Sequence, residues 1–179
     1  MVDPITSRTW AYRVFYVALI LVLAFVQLLP LGASAGKLPG PDLIVAVTFA
    51  WVLRRPSYVP VPILAPLFLF LDFLLQHPPG LGAALILVGT EVLRARRDVS
   101  RNLPFPFEWA MVTAVMVALV GLNQIALTIT MLDRPPLGQA ILRALFTAAA
   151  YPLVVLVSHY AFGVRAADPN EADALGSRL

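Results

Sequence analysis

The stretch DLIVAVTFAWVLRRP, residues 42–56, decides the fold, because its apolar part, 43–53, is short for a membrane crossing. A bilayer core about 30 Å thick takes about 20 apolar residues of helix, whereas runs of about 10–14 are more often re-entrant or buried. The choice sets the topology of everything around it. Pro41 and Asp42 supply a helix start, since proline suits the first turn and aspartate caps free amides. A helix over 41–55 is roughly 22 Å long at 1.5 Å per residue. Bilayer thinning, snorkelling arginines and shelter by neighbouring helices cover the shortfall. The segment is therefore expected to cross as a short helix kept away from lipid.

Composition frames that choice. Of 179 residues, 60% are hydrophobic and 13% charged, against about 25% charged in soluble domains. The expected class is an all-α integral membrane protein with no room for a soluble catalytic domain. Absence of cysteine excludes disulfides, thiolate nucleophiles and cysteine-ligated clusters. The net charge of +3 reflects clustered arginines rather than a nucleic-acid-binding surface.

Long apolar runs lie at 14–29, 59–75, 109–132 and 144–162, and a second short one at 81–93. If all six runs cross with the N-terminus cytoplasmic, Arg8, Arg13, Arg54, Arg55, Arg94, Arg96, Arg97, Arg101, Arg165 and Arg178 lie inside. Only Lys37, Arg134 and Arg143 then lie outside, a strong positive-inside bias. Re-entrant short runs would put Arg54 and Arg55 outside and weaken it. The expectation is one six-helix transmembrane bundle over 1–164, with both ends cytoplasmic and spans near 13–31, 41–54, 57–76, 80–94, 108–132 and 138–163. Residues 165–179 read as a disordered tail. Each helix running inward opens on Pro and Gly and closes on Arg, a pattern of three hairpins that ordinary turn chemistry also explains. RTWAYR before the first run and ASA at 33–35 imitate a secretion signal. The run is long for one, and Gln27 and Pro30 interrupt the approach, so a retained span is expected.

Asp72, in FLFLDFLLQHPPGLG, is the carboxylate set deepest in an apolar run. An aspartate at a helix centre costs about 2.5–3.5 kcal/mol on insertion scales, which makes it a functional candidate. Three readings stand open: a hydrated residue at the interface, a clamp on the free amides that begin the next helix at Gly80, Leu81 and Gly82, or a site for a proton, ion or solute. Asn123, Gln124, Gln27 and Gln76 are its polar company and read as inter-helix hydrogen-bonding groups. Glu91 and Arg94 have the spacing of a helix-face ion pair. The basic loop 94–101 marks a cytoplasmic turn or meets anionic lipid headgroups. Ala110, Ala114 and Ala118, with Ala140, Ala144 and Ala148, form small-residue stripes that permit close helix approach. His77 and His159 fall at opposite membrane faces, and Ser158 beside His159 lacks a third residue for a relay. No catalytic, metal-binding or cofactor-binding set emerges.

From 39 to 97 the order of features resembles one known family: PGPDL, a helix with Trp51, the basic turn Arg54–Arg55, a helix ending at Asp72, PPGLG, then a helix closing on basic residues. The segment is similar to MreD, the rod-shape-determining membrane protein, with looser agreement at RNLPFPFEWAMV and at Tyr151–Pro152. One departure is Phe68, where family members often carry glycine. The resemblance implies a non-enzymatic inner-membrane subunit of the bacterial elongation machinery that pairs with MreC. Through MreC it connects to MreB, RodA and a class B penicillin-binding protein. It also implies a six-helix architecture like the substrate-binding subunits of energy-coupling-factor vitamin transporters. Two functions from different classes follow: a scaffold for other membrane proteins, and a solute-binding transporter subunit. A solute site needs a concave pocket with converging polar groups, for which Asp72, Asn123 and Gln124 are the visible set.

Overall fold

The computed structural model describes residues 4–29, 39–97, 104–132 and 135–160. Arg101, Lys37, Arg134, the ASA at 33–35 and the tail 165–179 lie outside them. Among the described residues the chain forms six α-helices and one short 3-10 turn: α1 Pro4–Leu28, α2 Leu43–Arg54, the turn Pro56–Tyr58, α3 Val61–Leu74, α4 Leu81–Ala95, α5 Phe105–Ile129 and α6 Leu137–Tyr160.

Among the described residues three helices are long and apolar enough to cross a membrane: Ser7–Leu28 within α1, Phe105–Ile129 and Leu137–Tyr160. They make this a multi-pass membrane protein. The bundle surface agrees, because Phe25, Phe73, Ile129 and Leu153 all stand more than 60% exposed, which in water would be an aggregation liability. α2, α3 and α4 have 12, 14 and 15 residues, roughly 18–22 Å of helix.

Helix boundaries differ from the sequence expectation where proline intervenes. Residues 56–58 form the 3-10 turn, and Pro60 is the extended cap before α3, because proline at 60 and 62 restricts the preceding backbone. α5 starts at Phe105 behind Pro104, while α1 already begins at Pro4.

The helices alternate in direction. Late residues of α1, α3 and α5 and early residues of α2, α4 and α6 line one common cleft. At the opposite end Arg13 meets Ser57, Arg54 meets Glu108 and Arg97 meets Leu53. Around the axis, α2 packs on α4 and α6, and α5 packs on the same two. These four close a ring. α3 leans on α4, and α1 rests on α2 and the 3-10 turn.

Nine of the twelve α2 residues are buried, so the short helix is the wall shared by most of the bundle. α1 is held by one stripe, Tyr16, Ile20 and Ala24, at the i, i+4, i+8 spacing of one helix face. Aromatic packing fixes its arginine end: Tyr12 stacks on Tyr58 at 4.5 Å between centroids, and Tyr16 tilts against Trp51 at 5.5 Å. The Tyr16 hydroxyl shares a 2.8 Å hydrogen bond with Thr48 Oγ1, so the polar tip of a fully buried ring is satisfied.

Pro152 lies inside α6, where it cannot donate to the carbonyl four residues earlier. That carbonyl belongs to Ala148, and the Trp109 indole N–H of α5 supplies the missing donor at 2.7 Å. A helix defect on α6 is thereby turned into a cross-link to α5.

Candidate functional site

Asp72 is 3% exposed and joins both sides of the α3–α4 turn. Its backbone carbonyl accepts from His77 N–H at 2.8 Å, and Gln76 N–H donates to the Phe73 carbonyl at 3.3 Å. With Gln76 at φ +57°, these bonds form a Schellman ending to α3. The side chain then reaches forward: Oδ2 accepts from Gly80 N–H and Ala83 N–H, both at 3.0 Å. These are amides that a helix start leaves without internal partners, and the dipole there favours negative charge. Glycine is required twice. Gly80 caps α4 at φ +83°, a region L-residues avoid. A Cβ on Gly82 would lie 2.2 Å from Asp72 Oδ1.

Asp42 makes the corresponding start of α2. Its Oδ1 accepts from Val45 N–H at 3.3 Å, and its Oδ2 accepts from Arg143 Nη2 of α6 at 2.8 Å. Its own N–H donates to Thr147 Oγ1 at 2.8 Å. One residue therefore caps α2 and ties it to α6. Gln124 performs a similar stitch, its Nε2 donating to the Pro135 carbonyl ahead of α6 at 3.1 Å.

Between these clamps lies a cleft of about 540 Å³, lined by the four ring helices together with α3 and the end of α1, within the range of small-molecule sites. On α5 its lining runs from Met116 to Leu127, about 16 Å of helix rise. Its depth is apolar, with Ile86, Met116 and Leu119; Asn123, Arg143, Gln139 and His77 lie nearer the helix ends. Asn123 has no hydrogen-bond partner among the described residues. Below the cleft, Gly89 of α4 lets Phe49 and Leu119 close in, since a Cβ there would lie 2.9 and 2.8 Å from them. That approach closes the cleft at the end nearer the arginines.

The opposite end is cross-linked by side chains. Arg54 Nη2 meets Glu108 Oε1 at 3.3 Å, with side chains only 14% and 16% exposed. The Tyr151 hydroxyl donates to the same oxygen at 2.8 Å. Trp51 Nε1 donates to Ser158 Oγ at 3.2 Å. Arg94 donates to the Val59 carbonyl and lies 3.4 Å from Glu91 through Nε, a charge contact without hydrogen-bond alignment. Arg97 Nε donates to the Leu53 carbonyl at 3.3 Å. Of the predicted basic surface, Arg96 is exposed, whereas Arg54, Arg55, Arg94 and Arg97 are half-buried.

The structure thus brings Asp42, Asp72, Leu81, Gly82 and Asn123 to one cleft, with Gln124 buried beside it, and puts Trp51 at the far end. Arg143 and Glu108, both central to the geometry, were missed as site residues. Their partners lie 101 and 54 positions away, and the available signal was a charge inside or beside an apolar run. The alanine stripe of α5 departs from expectation: Ala110, Ala114 and Ala118 are exposed, while Val112, Met116, Gln124 and Leu127 turn inward. Ala144 and Ala148 of the α6 stripe are buried. Comparison of the chain with protein-family models, with curated proteins and with solved structures yields no match.

Proposed function

We propose that the protein is a non-enzymatic scaffold subunit of the bacterial cell-elongation complex, of the MreD kind, seated in the inner membrane and binding MreC directly. In this reading all six helices cross, the arginine end and both chain ends face the cytoplasm, and the cleft faces outward. MreB, RodA and a class B penicillin-binding protein connect through the complex. The observation that carries the proposal is the Asp72 clamp. The residues that bear the resemblance, Asp72 followed by Gly80, Leu81 and Gly82, work together as one rigid hairpin. A carboxylate committed to two amides suits a framework better than proton transfer. Asp42, Glu108 and Ser158 likewise hold helices together. The test is a mild-detergent pull-down of the full chain from its native membrane with partners identified by mass. Recovery of MreC is expected; recovery of an ATPase transport module without MreC overturns the proposal.

A second reading, a solute-binding transporter subunit, is favoured by one observation: the cleft with polar groups near its mouth. In that case the ATPase module is the partner recovered.

A further inference from the structure

The cleft carries a polarity gradient and an unbalanced set of charges. Its apolar depth and polar mouth repeat the order of one bilayer leaflet, so an amphiphile lies in it as it lies in the membrane. Among the lining residues two carboxylates, Asp42 and Asp72, face one guanidinium, Arg143. Asp42 uses both oxygens, on Val45 and Arg143. Asp72 uses Oδ2 twice, and its Oδ1 has no partner among the described residues. Arg143 meets Asp42 through Nη2, and its side chain is 42% exposed, which leaves N–H donors for another acceptor. The unspent groups therefore include an anionic oxygen at Asp72, guanidinium donors at Arg143, the amide of Asn123, and the side chains of Gln139 and His77 at the mouth.

That set matches a head carrying a phosphate and an ammonium. A purely anionic head satisfies Arg143 but adds to a lining whose formal charge is already negative, and an unpaired buried charge is costly. The lining also extends past the ring, to Phe68 and Leu71 on α3 and Gln27 on α1. α3 packs chiefly on α4, and α1 on α2 and the 3-10 turn, so the seam between α1 and α3 is the route assigned to an acyl chain.

We infer that the cleft is a binding site for one zwitterionic phospholipid, its phosphate on Arg143, its ammonium at Asp72 and Asn123, and an acyl chain over Met116 and Leu119. This goes beyond the scaffold reading and does not depend on MreC. The test is native mass spectrometry of the full chain, delipidated in mild detergent and then offered phosphatidylethanolamine or phosphatidylglycerol. One retained phosphatidylethanolamine is expected, favoured about tenfold over phosphatidylglycerol, a difference of about 1.4 kcal/mol. Asn123→Leu removes the amide and Ala140→Phe fills the mouth; each is expected to cut retention about tenfold. Should either variant fail to fold, the other reports alone, and the lipid preference of the unaltered chain reports without them. Absence of a bound lipid, equal retention of the two lipids, or retention unchanged in a folded variant overturns the inference. So does a water-soluble ligand that phosphatidylethanolamine does not displace.

Discussion

Asp72→Leu tests the hairpin at its centre. The substitution removes two bonds of 3.0 Å, from Gly80 and Ala83, and leaves both amides facing an apolar side chain. Hydrogen bonds to a charged group contribute about 1.5–3 kcal/mol each. The lower figure applies to Gly80, whose bond is only partly buried. Burial of leucine returns about 1.5 kcal/mol. The net loss is about 1.5–3 kcal/mol, or about 3–12 °C in unfolding temperature for a chain of this size. Asp72→Asn keeps an acceptor oxygen but not the charge and is expected to lose about half as much, because charge-assisted bonds are roughly twice as strong. Gly82→Ala reaches the same end independently, since its Cβ would displace the carboxylate. The assay is thermal unfolding of the purified full chain in mild detergent, followed by tryptophan fluorescence. An Asp72→Leu protein that unfolds at the parent temperature refutes the clamp. An asparagine variant as unstable as the leucine variant does so too, because the retained oxygen would then be irrelevant.

The other predictions address the α5–α6 contact and the topology. Trp109→Phe is expected to cost about 1–2 kcal/mol by orphaning the Ala148 carbonyl, and Pro152→Ala in the same chain to recover about 1 kcal/mol by restoring the helix's own donor; strictly additive unfolding data would sink that account. The chain has no cysteine, so single cysteines report orientation directly. Gln139→Cys is expected to react with an impermeant maleimide in intact spheroplasts and Arg96→Cys only after permeabilisation, and the reverse order refutes the proposed topology.

What was legible in the sequence is what short-range spacing determines. Asp42 could be read as a cap because it precedes an apolar run by one residue, and Glu91–Arg94 as a pair because i, i+3 residues share a helix face. The Asp72 clamp spans eight to eleven positions, short enough for the turn chemistry of PPGLG to suggest it as one of three readings. The partners of Arg54, Trp51 and Arg143 depend on which helices become neighbours, and no local pattern encodes that. The α5 alanines show a related limit. A small-residue stripe permits close approach, but the rotation of α5 follows larger groups: Met116 and Leu127 fill the interior and Gln124 finds the Pro135 carbonyl, so the alanines face out.

The length of α2 follows from its two ends. An ordinary span must carry its polar ends to water on both sides, which requires about 20 residues. α2 does not have to carry its ends fully into water, because protein charges meet both of them. At its start Asp42 finds Arg143 of α6, and at its close Arg54 finds Glu108 of α5. Twelve residues set these two ion pairs roughly 18 Å apart, and the slab between them holds the fully buried Thr48, Phe49 and Trp51. Breaking a buried pair leaves an uncompensated charge and typically costs about 3–5 kcal/mol, less where the pair is partly hydrated as here. Lengthening α2 by a turn would pull one end from its partner. The short apolar run between Asp42 and Arg54 is therefore the distance between two counter-charges, and the ring closes at the arginine end while the cleft lies at the other.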